Sequence, residues 1–174
     1  YPTLFPRESL EHAHIVCIGE GEIPLSSWAR SPGSVSIPGL WFRSANGPIE
    51  NPPGPAPDLN DLPPALYGCN ETILTNDTLT GLSDDHLGNA HVFYASRYCR
   101  FDCGYCLSGR KRRKANGRPC ERKSVRNLID EIKAASRQFR LPNPICIWDD
   151  NFGEDIEWLR EFADLYPREV GIPF

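Results

Sequence analysis

The sequence predicts an α/β protein built around a parallel sheet. Three observations lead there. Short apolar runs of strand length stand at 91–95 (His-Val-Phe-Tyr-Ala), at 145–148 (Ile-Cys-Ile-Trp) and from Val170 onward. They are continuous rather than alternating, as strands buried on both faces are. Two stretches of helical spacing separate them, and strand–helix–strand–helix–strand is the order that parallel sheets need.

The elements follow in order along the chain. Residues 15–18 (Ile-Val-Cys-Ile) read as a buried strand meeting a turn at Gly19. Two apolar pieces, 35–37 and 40–42, read as a small hairpin. Residues 48–64 hold seven prolines in seventeen positions. Proline has no N–H and a fixed φ, so this stretch reads as an extended, semi-rigid linker and marks a domain boundary. Residues 65–90 are polar and irregular. Ser124 is placed to cap a helix. Val125, Leu128, Ile129, Ile132, Ala135 and Phe139 then recur on one face of it. Leu141-Pro142-Asn143-Pro144 stops that helix. A second helix is expected from about 154 to 166, with Ile156, Leu159, Phe162 and Ala163 inward. Glu154 and Asp155 suit its positive end, and Pro167 should end it. In parallel sheets ligands bind where strands end. The loop after residue 95 and the turn Asp149-Asp150-Asn151 both lie there.

Composition bounds the function. The chain has 174 residues, 40% hydrophobic and 24% charged, which fits a globular protein. A net charge of −4 gives no general attraction to nucleic acid or anionic lipid. Between Arg97 and Arg126 stand eleven Lys/Arg against Asp102 and Glu121. The run Lys111-Arg112-Arg113-Lys114 within that stretch reads as a solvated loop, and a nucleic-acid partner is not expected. No apolar run has the roughly 20 residues that cross a bilayer. The chain has no methionine and ends on Gly171-Ile172-Pro173-Phe174, as a strand would begin, so it is expected to be a piece of a longer protein. Two Asn-x-Thr sequons, at Asn70 and Asn76, read as chance matches.

The seven cysteines are 17, 69, 99, 103, 106, 120 and 146. An odd number with three crowded into eight residues argues against a disulfide framework. It suits a reducing compartment, so a cytoplasmic location is expected. Cys99, Cys103 and Cys106 are close enough to share one metal centre. A [4Fe–4S] cluster normally takes four cysteines. Three would leave one iron open to a chelating amino and carboxylate group. The loop's positive charge would favour thiolates. The alternative is zinc with Cys120 as fourth ligand in a nucleic-acid-binding module. Structural zinc sites usually draw on two Cys-x-x-Cys pairs, and the second pair is missing.

The stretch Ala95-Ser96-Arg97-Tyr98-Cys99-Arg100-Phe101-Asp102-Cys103-Gly104-Tyr105-Cys106 resembles the radical S-adenosylmethionine superfamily. Its branch with an N-terminal cobalamin-binding domain is the nearest in organisation. Gly19-Glu20-Gly21-Glu22 resembles the end of that cobalamin domain. Residues 58–64 resemble its linker, and Asp149-Asp150-Asn151-Phe152 resembles the turn after the second barrel strand. The resemblance implies the first strands of a (β/α) TIM-like barrel, preceded by the C-terminal tail of a Rossmann-like domain. It divides the chain into a cobalamin-domain tail (1–47), a linker (48–90) and the start of a radical barrel (91–174).

It also implies ligands. Cys99, Cys103 and Cys106 would hold the cluster, and S-adenosylmethionine would chelate the open iron and yield a 5′-deoxyadenosyl radical. Tyr105 would lie near the adenine, and Asp149, Asp150 or Asn151 near the methionine amino group. For those three a helix-capping turn is an equal alternative. Cobalamin is a further cofactor of the branch, yet its ligand motif Asp-x-His-x-x-Gly is absent here, and His12 and His14 do not match it. Implied partners are a small-molecule or biosynthetic-intermediate substrate and an electron donor such as flavodoxin or ferredoxin. The implied reaction is a methyl transfer or related radical chemistry. A tRNA methylthiotransferase shares the cysteine motif and is the second enzyme reading. A piece inactive in isolation is a third.

Overall fold

The computed structural model describes residues 1–65, 71–81, 83, 91–109, 120–138, 140–141 and 143–174. Cys69, the basic run 111–114, Phe139 and Pro142 lie outside the described residues. The chain divides into two compact units, Tyr1–Asp61 with Tyr98–Glu121, and Leu62–Arg97 with Arg122–Phe174.

The first unit is built on an antiparallel sheet. Its order is β1 (Ile15–Cys17), β2 (Leu40–Phe42) and β3 (Ile49–Glu50). Val16 pairs with Trp41, and Trp41 with Glu50. Side chains alternate across a strand, so the sheet has two apolar faces. Val16 and Trp41 pack with Leu10 of α1 (Pro6–His12). Ile15, Cys17, Leu40 and Phe42 pack on the other face with Trp28 of α2 (Glu22–Arg30). This sheet is antiparallel, unlike the parallel one expected of a Rossmann-like tail. The apolar piece 35–37 forms no strand, and Leu40–Phe42 takes its partners from Ile15–Cys17 and Ile49–Glu50 instead.

The proline-rich stretch is tied down at its start. It opens with strand β3, before the prolines crowd. Pro52 supplies its carbonyl to Gly39 N–H at 2.7 Å, the role a proline can still play. Asn51 donates to Val35 and Leu40 carbonyls at 2.8 and 2.6 Å, and accepts from Trp41 Nε1 at 2.9 Å. Gly39 has φ +86°, and a Cβ there would lie 2.7 Å from Pro24 Cγ and 3.1 Å from Gly54 backbone. Only glycine suits such a close crossing.

The second unit holds the predicted strand–helix order. β6 (Val92–Phe93) and β9 (Cys146–Ile147) run parallel, with Val92 opposite Cys146 and Phe93 opposite Ile147. Cys146 N–H donates to His91 O at 3.1 Å and Trp148 N–H to Phe93 O at 2.8 Å. Between them runs α3 (Val125–Gln138), with Val125, Leu128, Ile129, Ile132 and Ala135 all buried, as its spacing predicts. Ser124 accepts from Asn127 N–H at 3.2 Å as its cap. α4 (Ile156–Glu169) completes the layer over the sheet. Among the described residues this parallel sheet has two strands, and no closed barrel is seen. A second pair joins β7 (Ser96–Arg97) and β8 (Glu121–Arg122). A hairpin, β4 (Thr72–Thr75) and β5 (Thr78–Gly81), stands where irregular chain was expected. Its turn residues Asn76 and Asp77 have φ +48° and +61°, the sign that a two-residue hairpin turn requires.

Three expectations for the C-terminal part need correction. α4 begins at Ile156, and Asp155 caps it by accepting from the Glu157 and Trp158 amides at 3.1 and 3.0 Å. Its inward face is Trp158, Phe162 and Tyr166, while Ile156 is 56% exposed and Ala163 is exposed. Pro167 lies inside the helix rather than ending it. The stop is Gly171, with φ +66° and its N–H on Tyr166 O at 3.1 Å, a left-handed cap that glycine accepts readily. No strand begins at Val170. The end of the chain meets the sheet through one bond, Ile145 N–H to Pro173 O at 2.9 Å.

Tyr166 donates its hydroxyl to Ile172 O at 2.6 Å. Burial pushes its phenol up to about 12. The unfolded phenol titrates near 10, so above about pH 10 the unfolded chain loses this proton first. The group's contribution to stability is therefore full below about pH 10 and falls as pH rises toward 12. Tyr166→Phe is expected to lower stability by about 1 kcal/mol near neutrality. It should also flatten the alkaline decline in urea midpoint.

Candidate metal centre

The cysteine loop begins just beyond β7. Tyr98, the residue before Cys99, has φ +62°. A side chain in that region costs about 1–2 kcal/mol. Its hydroxyl donates to Glu20 Oε1 at 2.6 Å, a charge-assisted bond that offsets the strain. Glu20 belongs to the Gly19–Glu22 turn, and both partners lie in the first unit.

Cys103 and Cys106 stand at the two ends of a β-turn, closed by Cys106 N–H to Cys103 O at 3.1 Å. Gly104 and Tyr105 form its corner. Cys99 and Cys106 are half-buried and Cys103 is exposed, each as a free thiol. Tyr105 is 92% exposed and Phe101 52% exposed, with the Arg100 guanidinium 5.6 Å from the Phe101 ring centre. The loop folds tightly on itself, because a Cβ on Gly109 would lie 2.6 Å from Asp102 Oδ1. Three thiols close together on one loop are a soft donor set, and that chemistry fits an iron–sulfur cluster.

Among the described residues no three His, Cys, Asp or Glu side chains converge as a single bound ion requires. A four-iron cube spaces its thiolates more widely than one zinc ion does. Cys17 lies on β1, away from this loop in sequence. Burial, with Glu20 and then Glu22 nearby, pushes its thiol up, and it donates to Glu20 O at 3.6 Å. A thiol pushed up in this way is harder to ionise, and a metal ligand must be ionised.

The turn after β9 separates its three candidates. The Asp149 carboxylate is fully buried. Its Oδ1 accepts the amides of Ala95 at 2.8 Å and Ser96 at 3.0 Å. Its Oδ2 lies 3.4 Å from Arg122 Nη1. Asp150 is exposed, and Asn151 is half-buried with Nδ2 3.5 Å from Glu154 Oε2. Asp149 is thus committed within the protein, while Asp150 is open to solvent.

Arg122 was not legible as a site residue. It sits at the edge of the basic stretch and looks like any other member. In the structure it donates to Asn151 O at 2.9 Å and lies 4.7 Å from the Trp158 ring centre. Nothing in sequence marks that pairing. The Glu20–Tyr98 bond is equally hidden, across 78 positions. No helix among the described residues is long and apolar enough to cross a membrane.

No protein-family model matches the chain, and no curated protein matches it. Solved structures do. The chain is similar to TsrM from Kitasatospora setae, a radical S-adenosylmethionine methyltransferase solved with tryptophan substrate and the analogue aza-SAM. The TM-score is 0.68 at 15% identity, over 96% of this chain and 31% of that one. A second TsrM structure, with cobalamin and a [4Fe–4S] cluster bound, gives 0.59 at 12% identity, over 96% and 32%. OxsB, a cobalamin-dependent S-adenosylmethionine radical enzyme solved with aqua-cobalamin and S-adenosylmethionine, gives 0.59 at 18% identity, over 90% and 21%. The chain spans about a third or less of these proteins. At such identities the likeness is one of fold.

Proposed function

We propose that this chain is part of a cobalamin-associated radical S-adenosylmethionine enzyme, with Cys99, Cys103 and Cys106 as ligands of a [4Fe–4S] cluster. The observation that carries the reading is the setting of the three thiols. They stand on the loop that follows β6 and β7 in the chain, two of them at the ends of one turn. Three ligands leave one iron open, and the likeness to TsrM and OxsB in fold supports S-adenosylmethionine as its occupant.

Bound there, the cluster would supply the electron that cleaves the sulfonium bond of S-adenosylmethionine. The chain's own residues bind and orient. Tyr105, exposed at the corner of the turn, is available to an adenine ring. Asp150 and Asn151 are the turn residues available to an amino group. The substrate is a small molecule, and an electron donor such as ferredoxin or flavodoxin completes the cycle in a reducing cytoplasm. In the same reading residues 1–47 are the tail of a cobalamin-binding domain, 48–90 a linker and 91–174 the first part of a barrel. Methyl transfer is the reaction class. The exposed His12 and His14 offer no cobalamin ligand pattern, so cobalamin contacts would come from elsewhere in a longer protein.

Metal analysis tests the reading. After anaerobic reconstitution with iron and sulfide the chain should hold about four irons and four sulfides. Stoichiometric zinc without iron would overturn it.

A further inference from the structure

The loop bearing the cysteines begins and ends on one buried ion pair. On the outgoing side, successive amides of Ala95 and Ser96 point at a single oxygen, Asp149 Oδ1, at 2.8 and 3.0 Å. Consecutive N–H groups converging on one anion form a fixed, oriented contact. On the returning side, Arg122 meets the other oxygen of the same carboxylate at 3.4 Å. Arg122 is itself held, by Asn151 O at 2.9 Å and by the Trp158 face at 4.7 Å. Two more bonds lock this stem. Trp158 Nε1 donates to Lys123 O at 2.7 Å, and Lys123 N–H donates to Ala95 O at 2.8 Å. All of these residues belong to the second unit.

We propose that Asp149 is a positioning residue for the cysteine loop. It fixes where the loop leaves through Ala95 and Ser96, and where it returns through Arg122. The inference rests on the reading of Cys99, Cys103 and Cys106 as ligands, and it removes Asp149 from the candidates that touch S-adenosylmethionine. Cys99 lies three residues beyond Ser96 in sequence. A carboxylate is required because its two oxygens serve two different stems. An asparagine side chain keeps the size, but loses the charge facing Arg122 and one acceptor. Residues that orient metal ligands from behind typically matter by about 10-fold to 100-fold in metal affinity.

Asp149→Asn and Asp149→Ala test the proposal beside Glu169→Gln as a control. Glu169 pairs with Arg126 and Lys133 at 2.5 Å each. Its loss weakens the α3–α4 clasp without touching either stem. Two readouts are taken. In reconstituted protein, iron loss to a chelator is expected to quicken about 10-fold to 100-fold in the Asp149 variants and to stay unchanged in Glu169→Gln. Arg122→Lys, which keeps a charge but loses the fork, should fall between. In the metal-free chain, hydrogen exchange at Ala95, Ser96 and Lys123 should rise in the Asp149 variants while α3 stays protected. Unchanged stem exchange in both Asp149 variants would overturn the proposal, as would equal quickening of iron loss in Glu169→Gln. The exchange readout needs no metal. Wild-type protein that takes up no iron would therefore sink the cluster reading and leave the positioning claim to be decided by exchange alone.

Discussion

Cys103→Ala protein, reconstituted anaerobically with iron and sulfide, is expected to lose the visible charge-transfer absorption of the cluster and nearly all bound iron. Cys103 is the most accessible of the three thiols and heads the turn that also carries Cys106. With one of the three ligands gone, two thiolates hold a cubane poorly. The same loss is expected of Cys99→Ala and Cys106→Ala. Cys17→Ala is the informative contrast. Its thiol is pushed up by burial and by Glu20 and Glu22, so its removal should leave iron content unchanged. Retention of full iron in Cys103→Ala, measured by chemical iron assay and absorption, would show that the centre is elsewhere.

Phe162→Ala should be the most damaging single change to the fold of the second unit. Phe162 is 3% exposed and packs against four aromatic rings. Trp158 and Tyr166 stack on it at 5.2 and 4.7 Å between ring centres, and Phe152 and Phe174 meet it edge-on at 5.3 and 5.4 Å. Truncating a buried phenylalanine costs about 3–5 kcal/mol through lost transfer energy and the cavity left behind. Ile156→Ala, by contrast, should change stability by less than about 0.5 kcal/mol, because a surface side chain leaves no cavity. Urea unfolding of the two variants measures both. Equal effects would mean that the helix faces the sheet in the phase its aliphatic residues suggest.

That contrast shows what the sequence could and could not reveal. α3 was legible because its aliphatic residues alone trace the buried face, and every described member is inside. α4 was read correctly at Phe162 but not at its neighbours, because Trp158 and Tyr166 are aromatic with polar tips. Trp158 and Tyr166 go inside only because Lys123 O and Ile172 O accept from them, and that satisfaction is a tertiary fact. Pro167 was read as a stop, yet a left-handed Gly171 ends the helix four residues later. The hairpin around Asn76-Asp77 carried a turn signal that the polar composition of its strands obscured. The three-cysteine site could be proposed from sequence alone because metal binding depends on residue type and close spacing. The Asp149–Arg122 pair was not, because 27 positions separate partners that only folding brings together. In sequence Asp149 could not be told apart from Asp150 and Asn151, and in the structure its carboxylate is buried.

The central claim is a cluster with one iron open to S-adenosylmethionine. Electron paramagnetic resonance of the dithionite-reduced, reconstituted chain tests it most directly, recorded with and without S-adenosylmethionine. A [4Fe–4S]⁺ signal is expected, and its g-values should shift when S-adenosylmethionine is added, because its amino and carboxylate groups enter the coordination sphere. A cluster signal unmoved by saturating S-adenosylmethionine, or no cluster signal from iron-replete protein, would contradict it.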